Sequence, residues 1–223
     1  MRRDERRFVT ARIRGDTLLR QMPRESNLQE ALVADEQRDV IEVLEHDHRE
    51  VEEMFAELES LRDASTEEEK SRRKDVADQV TIELVRHSVA EEVLVYPQVD
   101  KKVSAEEAER ARKEHAEAEE TLRRMEKLDA DDPAFDDELA TLMREIREHI
   151  TEEEGEMFAH MRQVIDADEL RRLGARVEAF KKVAPTRPHP HVPNEPLPRM
   201  AAGPAASLFD RMRDLATGRG TGD

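Results

Sequence analysis

Four successive stretches between about residues 36 and 165 repeat their apolar residues at steps of three and four, the period that returns side chains to one face of an α-helix. The rhythm predicts helices over 39–61, 67–99, 104–128 and 133–165. Start signals agree with these bounds: Thr66 stands before the second stretch, Ser104 before the third with Glu107 three residues on, and Asp132-Pro133 opens the fourth. Breaks this short force neighbouring helices to run antiparallel, so the expected fold is all-α, an up-down-up-down four-helix bundle. A fifth helix over 168–183, with Leu170, Leu173, Val177 and Phe180 on one stripe, is expected to pack across an end of that bundle.

The flanks read differently. Residues 1–35 form an Arg-rich leader, expected to be partly helical or disordered, and the bundle with its fifth helix occupies 36–183. Seven of the ten prolines lie between Pro185 and Pro204, a spacing that forbids helix and predicts a flexible, extended tail over 184–223. Within it, 206–215 is amphipathic and expected to be weakly ordered.

Composition excludes much else. With no cysteine, thiolate metal sites, iron–sulfur clusters and thiol catalysis are ruled out, and any metal must be held by His, Asp, Glu, Tyr or water. Aromatic residues make up 3% of the chain, too few for a typical β-sandwich or barrel. The first twenty residues carry net +4 and residues 184–223 net +1, which against the formal −17 of the whole leaves −22 on residues 21–183. A body so acidic repels nucleic-acid phosphates and anionic lipid. No long apolar stretch or signal-peptide core is visible, so a cytoplasmic protein without a membrane partner is expected, its protein partners unspecified.

The apolar stripes are interrupted in a regular way. Helix one runs Ile41, Leu44, His48, Val51, Phe55, Leu58; helix two runs Val80, Leu84, His87, Glu91, Leu94. Helix three runs Ala108, His115, Glu119, Leu122, and helix four runs Leu139, Leu142, Ile146, His149, Glu153, Met157. Each inward face carries one histidine near its middle, and in helices two to four a glutamate follows one turn on. Buried imidazoles and carboxylates cost several kcal/mol unless something satisfies them, and a cation would. The His-x-x-x-Glu spacing alone says little, since the chain has 35 Glu and six of its eight histidines have Glu at that distance. The conjunction on four faces is the signal. His46 points elsewhere, His160 lies near a helix end, and His189 and His191 belong to the proline tail.

Counting residues to the helix ends puts His87 level with His115, and His115 level with His149, at 1.5 Å per residue. His48 and His87 match less well, so helix two either starts later than residue 67 or overhangs. Imidazole and carboxylate donors without thiolate suit iron or manganese, and four His with two or three Glu are enough for two carboxylate-bridged ions.

The segments His46-Asp47-His48-Arg49-Glu50, His87-Ser88-Val89-Ala90-Glu91-Glu92 running to Tyr96-Pro97, Lys113-Glu114-His115, and His149 through Phe158 resemble the hemerythrin-like family of His-His-Glu cation-binding domains. The resemblance spans about 39–162. It implies a non-haem di-iron centre, iron in preference to manganese, with His48, His87, Glu91, His115, His149 and Glu153 as ligands and Glu91 and Glu153 as bridges. Oxygen-carrying hemerythrins have a second histidine one turn after the first on helix three, where this chain has Glu119. If Glu119 ligates, the added negative donor favours Fe(III). That points away from reversible O2 carriage and toward a redox, peroxide-handling (catalase-like) or sensing role with O2, peroxide or NO as the small partner. If it faces away, a coordination position stays open. Tyr96 is expected to be a packing residue. Iron sequestration and a metal-free acidic interaction module are the competing classes.

Overall fold

The computed structural model describes residues 38–188 together with Asp210 and Asp214. The Arg-rich leader, His189, His191 and the remainder of 206–215 lie outside the described residues. Helix α1 (Val40–Ser60) starts on Asp39, whose carboxylate accepts the Glu42 N–H while the Glu42 carboxylate accepts the Asp39 N–H. Helix α2 (Glu67–Ala90) starts with the same reciprocal cap between Thr66 and Glu69. It continues through a π-turn (Glu91–Val95) into α3 (Tyr96–Lys102). Ser104 caps α4 (Ala105–Met125), and Asp132 caps α5 (Pro133–Glu152), which passes through a second π-turn (Glu153–Met157) into α6 (Phe158–Val164). Asp166 caps α7 (Ala167–Lys181).

The expected four rods are therefore present, α2 with α3 and α5 with α6 each forming one, and no strand occurs among the described residues. The inward stripes close on a core that includes Ile41, Leu44, Phe55, Leu58, Val80, Leu84, Leu122, Leu139, Leu142 and Ile146, all buried. No helix of the described residues is long and apolar enough to cross a membrane.

The mismatch between helices one and two is an overhang: α2 does begin at Glu67, and its surplus turns pack against the connection between α4 and α5. There the buried Arg73 donates to the Ala130 carbonyl at 2.6 Å and to the Asp136 carboxylate, and its guanidinium lies 5.0 Å from the centre of the Phe135 ring.

Two expectations change. Helix α7 does not cap an end of the bundle. Its Gly174 meets the backbone of Arg38 to Val40, and seven residues later Lys181 reaches Asp47, so α7 advances alongside α1 in the same sense. The reason lies in α1, where Val40 and Val43 form a second buried stripe beside Ile41 and Leu44 that needs a cover, and Leu170, Leu173 and Val177 are buried on α7. The chain also stays packed beyond Val183. Thr186 and Arg187 are buried, their backbone N–H groups both donating to Asp210 at 3.2 Å, while the Arg187 guanidinium pairs with Glu126 at 3.0 Å and Asp214 at 2.7 Å. Proline forbids helix here, but an extended segment can be buried when its donors and charges are met.

The close approach at Gly174 is testable. A Cβ there would stand 2.6 Å from the Arg38 carbonyl oxygen, an atom fixed in backbone, whereas one at Gly155 would meet nothing within 4 Å. Gly174→Ala should lower unfolding stability by about 1–3 kcal/mol through overpacking, read by urea denaturation. Gly155→Ala should not destabilise. Equal effects would contradict the packing of α7 on α1.

Candidate metal centre

Four rods each deliver one imidazole to the same depth of the core. His48, His87, His115 and His149 are all buried, and the His48 and His87 rings lie 5.0 Å apart, the His115 and His149 rings 4.6 Å. Between them stand two fully buried carboxylates. Glu91 faces His87 Nε2 at 3.0 Å and His115 Nε2 at 3.4 Å; Glu153 faces His149 Nε2 at 3.3 Å and His48 Nε2 at 3.5 Å. Two groups of donor atoms result, His48, His87, Glu91 and Glu153 in one and Glu91, His115 and His149 in the other, each with its atoms within 4.8 Å of one another. Each carboxylate thus touches an imidazole from both groups.

The other imidazole nitrogens form a closed ring around the bundle. His87 Nδ1 meets Asp47 of α1 at 3.1 Å, and His115 Nδ1 meets Glu92 of the first π-turn at 3.2 Å. His149 Nδ1 meets Glu114 of α4 at 2.8 Å, and His48 Nδ1 meets Glu154 of the second π-turn at 2.8 Å. A carboxylate on Nδ1 assigns the proton to that nitrogen and turns Nε2 inward, the arrangement that orients and strengthens a metal-binding histidine.

Each of the four carboxylates is the sequence neighbour of an inward residue: Asp47 of His48, Glu92 of Glu91, Glu114 of His115, Glu154 of Glu153. One step along a helix rotates a side chain by ~100°, which carries it from the core face to the seam with the next rod. The doublets are visible in the sequence. Reading only the inward face missed them.

The π-turns were also missed. Each begins at a site glutamate, with the N–H of Tyr96 bonded to the Glu91 carbonyl and that of Phe158 to the Glu153 carbonyl. In an unbroken α-helix a residue five positions on would sit ~140° around the axis. The wider turn brings it back over the glutamate instead. Tyr96 is accordingly not a peripheral packing residue: fully buried, its hydroxyl lies 2.9 Å from Glu153, 3.3 Å from Glu91 and 3.1 Å from His115 Nε2. Pro97, which cannot donate to the preceding turn, was the available signal for the first π-turn. Phe158 occupies the matching position after Glu153 and stacks on His48 with ring centres 6.0 Å apart. The centre therefore has a pseudo-twofold arrangement in which one side carries a hydroxyl and the other does not.

Glu119 is not brought into either group. It is buried and lines a small cavity with Leu84, Val85, Ile146, His115 and Glu92. Chain direction explains this. Stepping one turn on from His87 or His149 leads toward the level of Glu91 and Glu153, but α4 runs the opposite way, so one turn on from His115 leads to the other side of the histidine layer. His46 and His160 are exposed and pair with Glu50 and Glu107, outside the centre.

The electrostatics follow from burial and pairing. Burial pushes the His87 imidazolium down, but the Glu91 charge and the Asp47 hydrogen bond outweigh it and hold the group up at about 10. Burial likewise opposes the charged forms of His115 and His149, yet their carboxylate partners raise both. Glu91 and Glu153 are held below the usual carboxylate range by the same imidazoles, against burial and, for Glu91, the charge of Glu153. Burial raises the Tyr96 phenol, and the nearby carboxylates raise it further, so it keeps its proton. Four buried atoms of the site, His48 Nε2, His87 Nε2, Glu91 Oε1 and Glu153 Oε2, make no hydrogen bond, although all but Glu91 Oε1 lie in ion-pair contact. Uncompensated buried donors and acceptors of this kind fit bound cations.

Comparison with known proteins agrees with this geometry. The model of the hemerythrin HHE cation-binding domain matches residues 39–161. An uncharacterized hemerythrin-like protein of Schizosaccharomyces pombe is 31% identical over 172 residues, which cover 76% of this chain and 82% of that protein. The crystal structure of a hemerythrin HHE cation-binding domain-containing protein from Mycobacterium kansasii matches with a TM-score of 0.55 at 23% identity, covering 78% of this chain and 99% of that one. At that identity the likeness speaks for the fold.

Because metal-free His87 and His149 hold protons at neutral pH and a metal ligand must be deprotonated, cation uptake has to expel protons. Titration of the metal-free protein with a divalent transition-metal ion at pH 7, in buffers of different ionisation enthalpy, should show net proton release and weaker binding as the pH falls. His46→Ala should leave both unchanged. Heats independent of buffer would contradict the assignment.

Proposed function

This chain belongs to the hemerythrin HHE cation-binding family, and from that premise we propose that its centre holds two non-haem iron ions and reacts with a small oxidant or diatomic ligand, in peroxide handling or sensing rather than reversible O2 carriage. The observation that carries this reading is the convergence of four Nε2 atoms on two shared carboxylates, with His48 Nε2, His87 Nε2, Glu91 Oε1 and Glu153 Oε2 left without a hydrogen bond. His48 and His87 would hold one ion, His115 and His149 the other, with Glu91 and Glu153 bridging. A carboxylate-bridged iron pair supplies two-electron exchange with O2 or peroxide, or binding of NO.

The surrounding residues set what such a pair can do. Six donor residues are fewer than two ions accept, and with Glu119 outside both groups a bound pair would keep room for an exogenous ligand. Glu119 therefore lends no negative donor to Fe(III); the argument against carriage rests on the absence of a histidine at that position and on the Tyr96 hydroxyl. Tyr96 holds a proton within hydrogen-bond distance of both bridging carboxylates and of His115. It places a hydrogen-bond donor on the His115 side, and Phe158 against His48 on the opposite side offers none. The buried Phe55, Leu142, Met157 and Phe158 exclude bulk water. Glu119 and Glu92 line the adjoining small cavity together with His115.

Iron analysis and absorption spectra, before and after reduction and exposure to air or peroxide, test the reading. Two irons per chain with near-ultraviolet bands that bleach on reduction are expected. Oxygen evolution from peroxide, lost in His149→Ala, identifies a catalyst, and spectral change without turnover identifies a sensor. Iron-free protein, or fast and fully reversible oxygenation of the reduced form, would contradict it.

A further inference from the structure

Helix α7 lies outside the four rods that supply the histidines, yet it reaches the centre through one side chain. Lys181, in its last turn, ordinarily would interact with the free carbonyls at its own helix end. Instead it turns inward, its ammonium 2.5 Å from Asp47 Oδ1, while Asp47 Oδ2 accepts from His87 Nδ1 at 3.1 Å. Lys181 is mostly buried and Asp47 almost wholly so, which keeps their interaction from being screened by water. The chain of contacts runs Lys181, Asp47, His87, and from there to the side of the centre shared with His48.

We propose that Lys181 is a positioning residue that ties α7 to the iron pair: by sharing Asp47 with His87 it limits electron donation through the imidazole and sets a higher reduction potential on the His48/His87 side. This rests on the di-iron reading above. The physical argument has two parts. A carboxylate hydrogen-bonded to Nδ1 makes the imidazole a stronger donor, and a cation on the far oxygen of that carboxylate weakens the effect. A positive charge held near a buried ion also disfavours the more highly charged oxidation state. Both act in the same direction. Removing Lys181 should favour Fe(III).

A purely mechanical role, holding α7 against the bundle, makes a different prediction, and the structure supplies its control. Lys102 of α3 pairs with Glu169 of α7, anchoring the same helix without touching the ring of carboxylates.

The experiment is a spectroelectrochemical titration of the iron-loaded full-length chain, with iron content and circular dichroism of each variant. Lys181→Met should shift the midpoint potential to lower values, Lys181→Arg should restore it, and Lys102→Met should leave it unchanged. Asp47→Asn, which removes the negative donor, should shift it upward and bind iron about 10- to 100-fold more weakly. In that background Lys181→Met should lower the potential by less than in the wild type, because only the direct effect of the charge remains, so the inference stays testable even if the single Lys181→Met protein folds poorly. Wild-type protein with two irons whose potential is indifferent to Lys181, or equal shifts from Lys181→Met and Lys102→Met, overturns the inference alone. Wild-type protein that takes up no iron overturns the functional reading and this inference with it.

Discussion

A buried imidazole can turn either nitrogen toward a site, and a centre built from four of them needs all four turned the same way. The ring of Nδ1 contacts does this, each histidine being fixed by a carboxylate from another rod: Asp47 for His87, Glu92 for His115, Glu114 for His149, Glu154 for His48. The ring also fixes the rods. A rotation of any one by a residue would carry its histidine off the core face and its carboxylate off the seam together, so helix phase and site geometry are one constraint. Much of the interior polarity is organised by this requirement, with the apolar layers above and below supplying the burial that drives association.

The two π-turns bear on the same constraint. They break the helical register at Glu91 and Glu153 and nowhere else among the described residues. By adding a residue to the turn they stack Tyr96 and Phe158 over those glutamates, one polar and one apolar lid on a nearly symmetric pair of sites. Such turns are uncommon and concentrate at functional positions. Here they make the two sides chemically unequal, with a hydroxyl beside His115 and an aromatic ring against His48.

Most of the architecture was legible in the sequence because period and caps are local signals. Thr66, Ser104, Asp132 and the stripes through His48, His87, His115 and His149 place the rods within a few residues and bring six of the seven expected site residues into the two donor groups. The stripe by itself carries no chain direction; the antiparallel order read from the short connections does, and applied to helix three it sends Glu119 to the far side of the histidine layer although it has the same spacing as Glu91 and Glu153. Nor could the stripe show a change of period, which is why Tyr96 read as packing. The side of α1 that α7 covers was hidden for a related reason: Val40 and Val43 lie on a second stripe, and a single-face reading of that helix leaves them unassigned. Arg187 is packed past α7 because two acids farther along the chain, Asp210 and Asp214, meet it.

The central claim is that two ions lie between the imidazole pairs, bridged by Glu91 and Glu153. Anomalous diffraction at the iron edge from crystals of the iron-loaded protein tests it most directly. Two peaks roughly 3.5–4 Å apart are expected, one beside His48 and His87 and the other beside His115 and His149, with a carboxylate oxygen of each glutamate between them. A single peak, or iron bound elsewhere on the acidic surface with the four imidazoles unligated, would contradict it.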